Sequence, residues 1–346
     1  MNVERRIAAA ARAAGAGHRP RLAIVVDTEE EFDWSAPFSR ASTSTRSLPA
    51  QTLAQSLYDD FGIVPTYVLD YPVAAGGGAD LLARLADDGK AEIGAHLHPW
   101  VNPPHDEAVT RFNSYQCNLP SELETAKIAV LTETIEARFG RRPMVFKAGR
   151  YGFGPATRDA LIALGYEVDC SYVPHVSFAV DGGPDYRGTP DAPFWLDEER
   201  RLLEVPLTSG FVGRLAARGP EVAALFDSRA AGRLRLPGLL ARTGLLARVR
   251  LTPENVTAEE QCRLIDTLAA SGRSVFTLTY HSPSLVPGNT PYVRSEAELE
   301  SFLARIAAVL RHFRDVHGGA FTTLTRLRGE MLAEEEAAAP KLVAAA

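Results

Sequence analysis

The feature that most constrains this chain is an alternation. Short apolar, β-branched runs are followed by longer stretches of helical period, and each run closes on polar or glycine residues. The pattern predicts βα units around a parallel sheet or barrel, because strands flanked by amphipathic helices bury both faces. The predicted strands are 22–26, 63–69, 92–95, 144–146, 167–170, 202–206, 275–280 and 321–324. Three hydroxyl–glutamate spacings predict capping boxes at helix starts: Ser121 with Glu124, Thr257 with Glu260, and Ser295 with Glu298. A segment at about 210–248 has helical character but is broken by Pro220, Gly232, Pro237 and Gly244, and reads as an inserted helical flap. Strand-like runs continue on both sides of it. The expected organisation is therefore a helical N-terminal extension (1–19), one barrel domain (20–329) and a low-complexity, flexible tail (330–346).

With 346 residues, 46% of them hydrophobic, the chain can bury a sizeable core. A net charge of −6 without a long basic run gives no electrostatic footprint for nucleic acid or for an anionic membrane surface. No stretch reaches the roughly 18 uncharged apolar residues of a transmembrane helix. The first twenty residues lack a signal-peptide core, so the expected location is the cytoplasm. Cys117, Cys170 and Cys262 are odd in number and without CxxC spacing, which fits a reducing compartment and small packing residues.

Polar residues collect at the carboxyl ends of the predicted strands: Asp27 and Glu29, His96 and His98, Lys147 and Arg150, Asp169 and Ser171, and His281. In a βα barrel those ends share one face, where active sites form. In "GAHLHPW" a turn after the strand, fixed by Pro99, is expected to bring both imidazoles to one ion. The run "DTEEEFDW" would be a solvated loop in isolation, but directly after a strand it becomes a source of carboxylate. Two neutral imidazoles and a carboxylate hold a divalent ion with a position open for water, lowering the water's pKa toward ~7. A nearby carboxylate can then remove its proton. His281, at the end of the most β-like run, is placed to protonate a leaving amine or stabilise an oxyanion. In "FKAGRYGFG" Lys147 and Arg150 supply fixed cations that pair with and orient acidic residues, and the glycines match neither the P-loop nor the dinucleotide spacing.

Taken in order, "VVDTEEEFDW", "EIGAHLHPW", "FKAGRYG", "GYEVDCSY" and "LTYHSPSL" make the chain resemble the polysaccharide deacetylases, carbohydrate esterase family four, over roughly residues 20 to 326. The nearest likeness is to their divergent bacterial branch linked to surface-glycan synthesis. The resemblance implies a distorted (β/α) barrel of about seven parallel strands that removes N-acetyl groups from amino sugars. It implies a divalent metal, zinc first, with cobalt, manganese or nickel as substitutes. Residue by residue, it implies Asp27 as the catalytic base, His96 as the first imidazole ligand, Lys147 in place of the arginine that orients the base, and His281 as the general acid. Arg150 joins Lys147 as a second catalytic cation.

The family's adjacent aspartate pair is here Asp27 and Thr28, so the metal carboxylate is expected from Glu29, with Glu30 behind it. The family's second histidine, four after the first, is here Trp100, which leaves that role to His98 ahead of His105. Trp100, Tyr151, Ser171 and Ser282 are the expected substrate contacts. The expected partner is an N-acetylated amino-sugar glycan or precursor. The missing aspartate also fits a catalytically silent glycan-binding barrel, and the same water chemistry serves a non-sugar amide.

Overall fold

The computed structural model describes residues 19–343, so the expected N-terminal extension lies, except for Arg19, outside the described residues. The strands are β1 (Arg21–Thr28), β2 (Thr66–Leu69), β3 (Glu92–Leu97), β4 (Val145–Ala148), β5 (Val168–Asp169), β6 (Phe194–Trp195), β7 (Leu203–Glu204), β8 (Ser209–Val212), β9 (Ala247–Arg250), β10 (Val275–His281) and β11 (Ala320–Phe321). The main sheet runs β10-β1-β2-β3-β4-β5-β7-β6, with β11 also paired to β1. From β10 to β7 every pairing is parallel, which gives seven strands as expected, and β11 adds a short eighth, parallel to β1. β6 is antiparallel to β7. The path ends at β10 and β6 rather than closing, so the barrel is distorted and open along one side.

The two-residue period of β1 sorts its side chains between two cores. Leu22, Ile24 and Val26 pack with the surrounding helices. Ala23 and Val25 face a second cluster with Val68, Val145, Val168 and Leu203. Asp27 continues that alternation at the carboxyl end of β1 and is 2% exposed. On β3, Gly94 leaves space for its neighbours: a Cβ there would lie 2.8 Å from both Val145 O and Val68 Cγ1.

The helix Leu324–Val343 runs through the segment whose composition suggests fraying. Its apolar residues Leu324, Leu327 and Met331 fall on one helical stripe and enter the second core. Burial of that stripe anchors the first turns of the helix, since truncating one such leucine typically costs about 2–5 kcal/mol. Thr257 and Ser295 cap their helices by accepting from Glu260 N and Glu298 N. Ser121 does not cap. Pro120 takes the N-cap position of helix Ser121–Phe139, and Glu124 turns inward to Gln116 Nε2 and Thr157 Oγ1.

The inserted flap is rooted differently from the helical reading. β8 and β9 form an antiparallel hairpin, and between them lie the short helices Ala223–Asp227, Arg229–Arg233 and Leu236–Arg242. Among the described residues no helix is long and apolar enough to cross a membrane.

Candidate active site

The strand register brings the candidate residues together in two steps. Asp27 on β1 is the register partner of His281 on β10, and His96 on β3 is the partner of Lys147 on β4. Four residues from distant parts of the sequence thus stand at one end of the sheet.

His96 and His98 need no turn to converge. Residues two apart in an extended chain share a face, and β3 runs through Leu97. Their Nε2 atoms lie 3.6 and 3.4 Å from Glu29 Oε2. Asp27 and Glu29 are likewise two apart, whereas Thr28 between them donates its hydroxyl to Val26 O at 3.0 Å. The longer side chain at position 29 therefore stands where an adjacent aspartate does not. Gly149 is needed beside them, because a Cβ there would press on Leu97 O and lie 2.5 Å from His98 Cδ2.

Each imidazole is oriented through its other nitrogen. His96 Nδ1 is 3.0 Å from Lys147 O and His98 Nδ1 is 2.7 Å from Glu30 Oε2. With Nδ1 donating, both Nε2 lone pairs face Glu29. Burial holds both rings neutral, pushing His98 down to about 4 and His96 well below the usual range, the latter with help from His98. Burial, followed by repulsion from Glu30 and Asp27, raises the Glu29 carboxyl far above its ordinary value. Its Oε1 is buried without a hydrogen-bond partner. Two neutral nitrogens and a carboxylate whose second oxygen is orphaned form a donor set that fits a divalent cation, and a cation would relieve the carboxylate. Glu30, the second choice for ligand, has one oxygen on His98 Nδ1 and accepts from Trp100 Nε1 at 2.8 Å with the other. Burial pushes its pKa up to about 7.

Asp27 is held differently. Lys147 Nζ donates to Oδ1 at 2.5 Å and Oδ2 at 2.7 Å, and to Thr279 Oγ1 at 3.0 Å. Burial alone would raise the Asp27 pKa, but the charge of Lys147 first, and that of His281 behind it, bring it below the ordinary value. His281 Nε2 lies 3.8 Å from Asp27 Oδ2. Its Nδ1 is 2.8 Å from Glu254 Oε2, and its backbone N–H donates to Glu254 Oε1. Burial would lower the imidazole pKa, but Glu254 and then Asp27 outweigh it and the net shift is upward. The site therefore holds an ionised carboxylate beside an imidazole that favours its proton.

A cleft of about 1140 Å³ opens over these groups. Trp34, Tyr151, Phe178 and Tyr292 are among its aromatic lining residues. Arg150 and Tyr151 both sit in the left-handed region, at φ 51° and 61°. Two consecutive non-glycine residues there store strain that only the surrounding structure can hold.

Four expectations are corrected. Trp100 lines the cleft but is 2% exposed, and its ring lies between His98 at 4.3 Å and Phe38 at 4.4 Å, leaving no face for a sugar. Ser171 is fully buried, accepts from Ala148 N and donates to Asp169, so it braces β4 against β5. Ser282 is equally buried and its Oγ accepts from Glu29 N at 3.2 Å, so it positions the glutamate. Arg150 does not reach Asp27. Its guanidinium bonds Ser114 Oγ and lies over the Tyr115 ring at 4.1 Å, on the cleft wall. Tyr151 stays in the cleft, stacked on Phe178 at 5.2 Å. His105 is exposed.

Sequence reasoning missed Glu254, Thr279, Trp34 and Tyr292. Thr279 was recoverable, since it precedes His281 by two on the same strand face. Trp34 ends the acidic run already singled out, and its ring meets His281 edge-on at 5.1 Å. Glu254 follows β9, outside the main sheet, and carries no spacing that points to it.

No family model matches the chain, and no curated protein matches it. Solved structures do. A protein from Mycobacterium smegmatis named as a polysaccharide deacetylase has 14% identity and a TM-score of 0.51, covering 92% of this chain and 93% of its own. One from Pseudomonas aeruginosa PAO1, also named as a polysaccharide deacetylase, has 14% identity and a TM-score of 0.50, covering 89% of each. The Puue allantoinase has 14% identity and a TM-score of 0.53, covering 90% of each. Neighbours of differing activity show that fold does not fix the reaction. The chain has the distorted (β/α) barrel fold of the polysaccharide deacetylases.

Proposed function

We propose that this protein is a metal-dependent hydrolase that removes the N-acetyl group from an amino sugar in a glycan or glycan precursor. The observation that carries the reading is the convergence of Glu29 with both histidine Nε2 atoms, beside an Asp27 held by Lys147 and a His281 held by Glu254. The names of the two deacetylase-like neighbours supply the substrate class.

Glu29, His96 and His98 would hold the ion. When bound, a divalent cation, zinc by its preference for this donor set, lowers the pKa of water and polarises the acyl carbonyl. Asp27, kept ionised by Lys147, takes a proton from the attacking water. His281, kept protonated by Glu254, gives a proton to the amine nitrogen as the carbon–nitrogen bond breaks, so the products are acetate and the free amino sugar. Tyr151 offers an aromatic face along the cleft for a sugar ring.

Hydrolysis of a non-sugar amide is the second reading, favoured by the similarity to a protein named allantoinase. Acetate release tests the proposal. Asp27→Asn and His281→Ala should each lower turnover on an N-acetylhexosamine oligosaccharide by about 10²- to 10⁴-fold with bound metal unchanged. Metal loss in either variant would mean that its role is wrongly assigned.

A further inference from the structure

The whole-chain charge of −6 conceals a local reversal. Between residues 213 and 246 the flap carries six arginines and no lysine, against Glu221 and Asp227, a local charge of +4. Arg214, Arg218, Arg233, Arg235 and Arg242 are all exposed, and among the described residues their guanidinium groups have no hydrogen-bond or ion-pair partner. Asp227 is already engaged by Arg248 at 2.7 Å. Free cations are common on surfaces, but these stand among exposed aliphatic side chains. Leu215, Val222, Leu234 and Leu239 lie in the same segment, with Leu234 78% and Leu239 59% exposed. Leu234 is bracketed by Arg233 and Arg235.

We infer that this flap docks the protein on an anionic lipid surface. Short aliphatic side chains entering the headgroup region, with arginines reaching the phosphates around them, are the composition of an interfacial element. Charge argues against the other occupants. Two flaps of the same chain would face each other with a charge of +4 each. A protein partner is read through aromatic anchors, and the flap's single aromatic residue between 213 and 246, Phe226, instead packs in the small cluster with Phe211 and Leu246. The hairpin that roots the flap also lends Arg248, Val249, Arg250 and Leu251 to the cleft wall, so the docking element and the site are contiguous. Docking rests on the flap alone and stands apart from the proposed reaction.

The test is vesicle flotation of the full chain with phosphatidylcholine vesicles and with vesicles containing phosphatidylglycerol. The protein should float with the anionic vesicles only, and release as salt rises from about 0.1 to about 1 M, where the screening length falls from about 10 to about 3 Å. The double variant Arg233→Ser, Arg235→Ser should bind at least about tenfold more weakly, given the contribution of each basic residue near such a surface. Leu234→Ser with Leu239→Ser should also weaken binding, and circular dichroism should match the wild type because all four residues are exposed. Flotation with neither vesicle, or equally with both, would overturn the inference. So would a dimer in solution that Leu234→Ser dissociates, which would make the flap a self-interface.

Discussion

Glu254 Oε2 lies 2.8 Å from His281 Nδ1, on the ring edge opposite the nitrogen that faces Asp27. This places a buried carboxylate where it fixes the imidazole tautomer and favours its charged form. Glu254→Gln should therefore lower turnover, though by less than His281→Ala, because the acid remains but loses its support. The pH profile separates this from a structural defect. His281 has a raised pKa, so as an acid it is competent up to a higher pH than an ordinary histidine, and activity falls as pH rises through the raised value. Removing the Glu254 charge should move that alkaline limb to lower pH. An unmoved limb would assign Glu254 to packing alone.

Lys147 and Asp27 form a fully buried ion pair. The Asp27 pKa is depressed, so the stability this pair contributes is present above the ordinary aspartate range and is lost as pH falls through the lowered value. Lys147→Met removes the partner that bonds both carboxylate oxygens and leaves only the His281 ring at 3.8 Å, a loss of the kind that costs about 3–5 kcal/mol at neutral pH. In metal-free protein, urea denaturation should show a penalty that is large at neutral pH and shrinks in acid, where Asp27 takes up a proton. A penalty independent of pH would point to lost packing instead.

Glu30 should behave as an orienting residue. Its carboxylate holds His98 Nδ1, and a partner of that kind typically contributes about 10–100-fold to metal affinity. Competition with a fluorescent chelator should find Glu30→Gln weakened by that factor. His98→Ala should be nearly empty, and His105→Ala, altered in an exposed loop, should bind as the wild type does. An empty His105→Ala with a full equivalent in His98→Ala would reverse the assignment.

Much of the barrel was legible because its signal is local. Apolar runs set between stretches of helical period, with polar residues at their ends, located the eight parallel strands of the main sheet, and with them Asp27, Glu29, His96, His98, Lys147 and His281 at one end of it. What stayed hidden depends on contacts between distant segments. Nothing near Ser282 announces that its hydroxyl receives Glu29 N, 253 residues away in sequence. Trp100 suggests a sugar platform by type, and only packing shows both its faces covered by His98 and Phe38. The first turns of the C-terminal helix are seated in the second core by three apolar residues at helical spacing, the last of them inside the low-complexity tail. The flap shows the same limit for charge, since a chain average of −6 erased a cluster of free arginines.

The most direct test of the central claim is acetate release from an N-acetylhexosamine oligosaccharide, measured before chelation, after exhaustive chelation, and after zinc is restored. The account predicts activity, its loss, and its return, with His96→Ala and Glu29→Gln failing to recover at zinc levels that restore the wild type. Acetate release that survives chelation, or its absence from fully zinc-loaded protein, would contradict it.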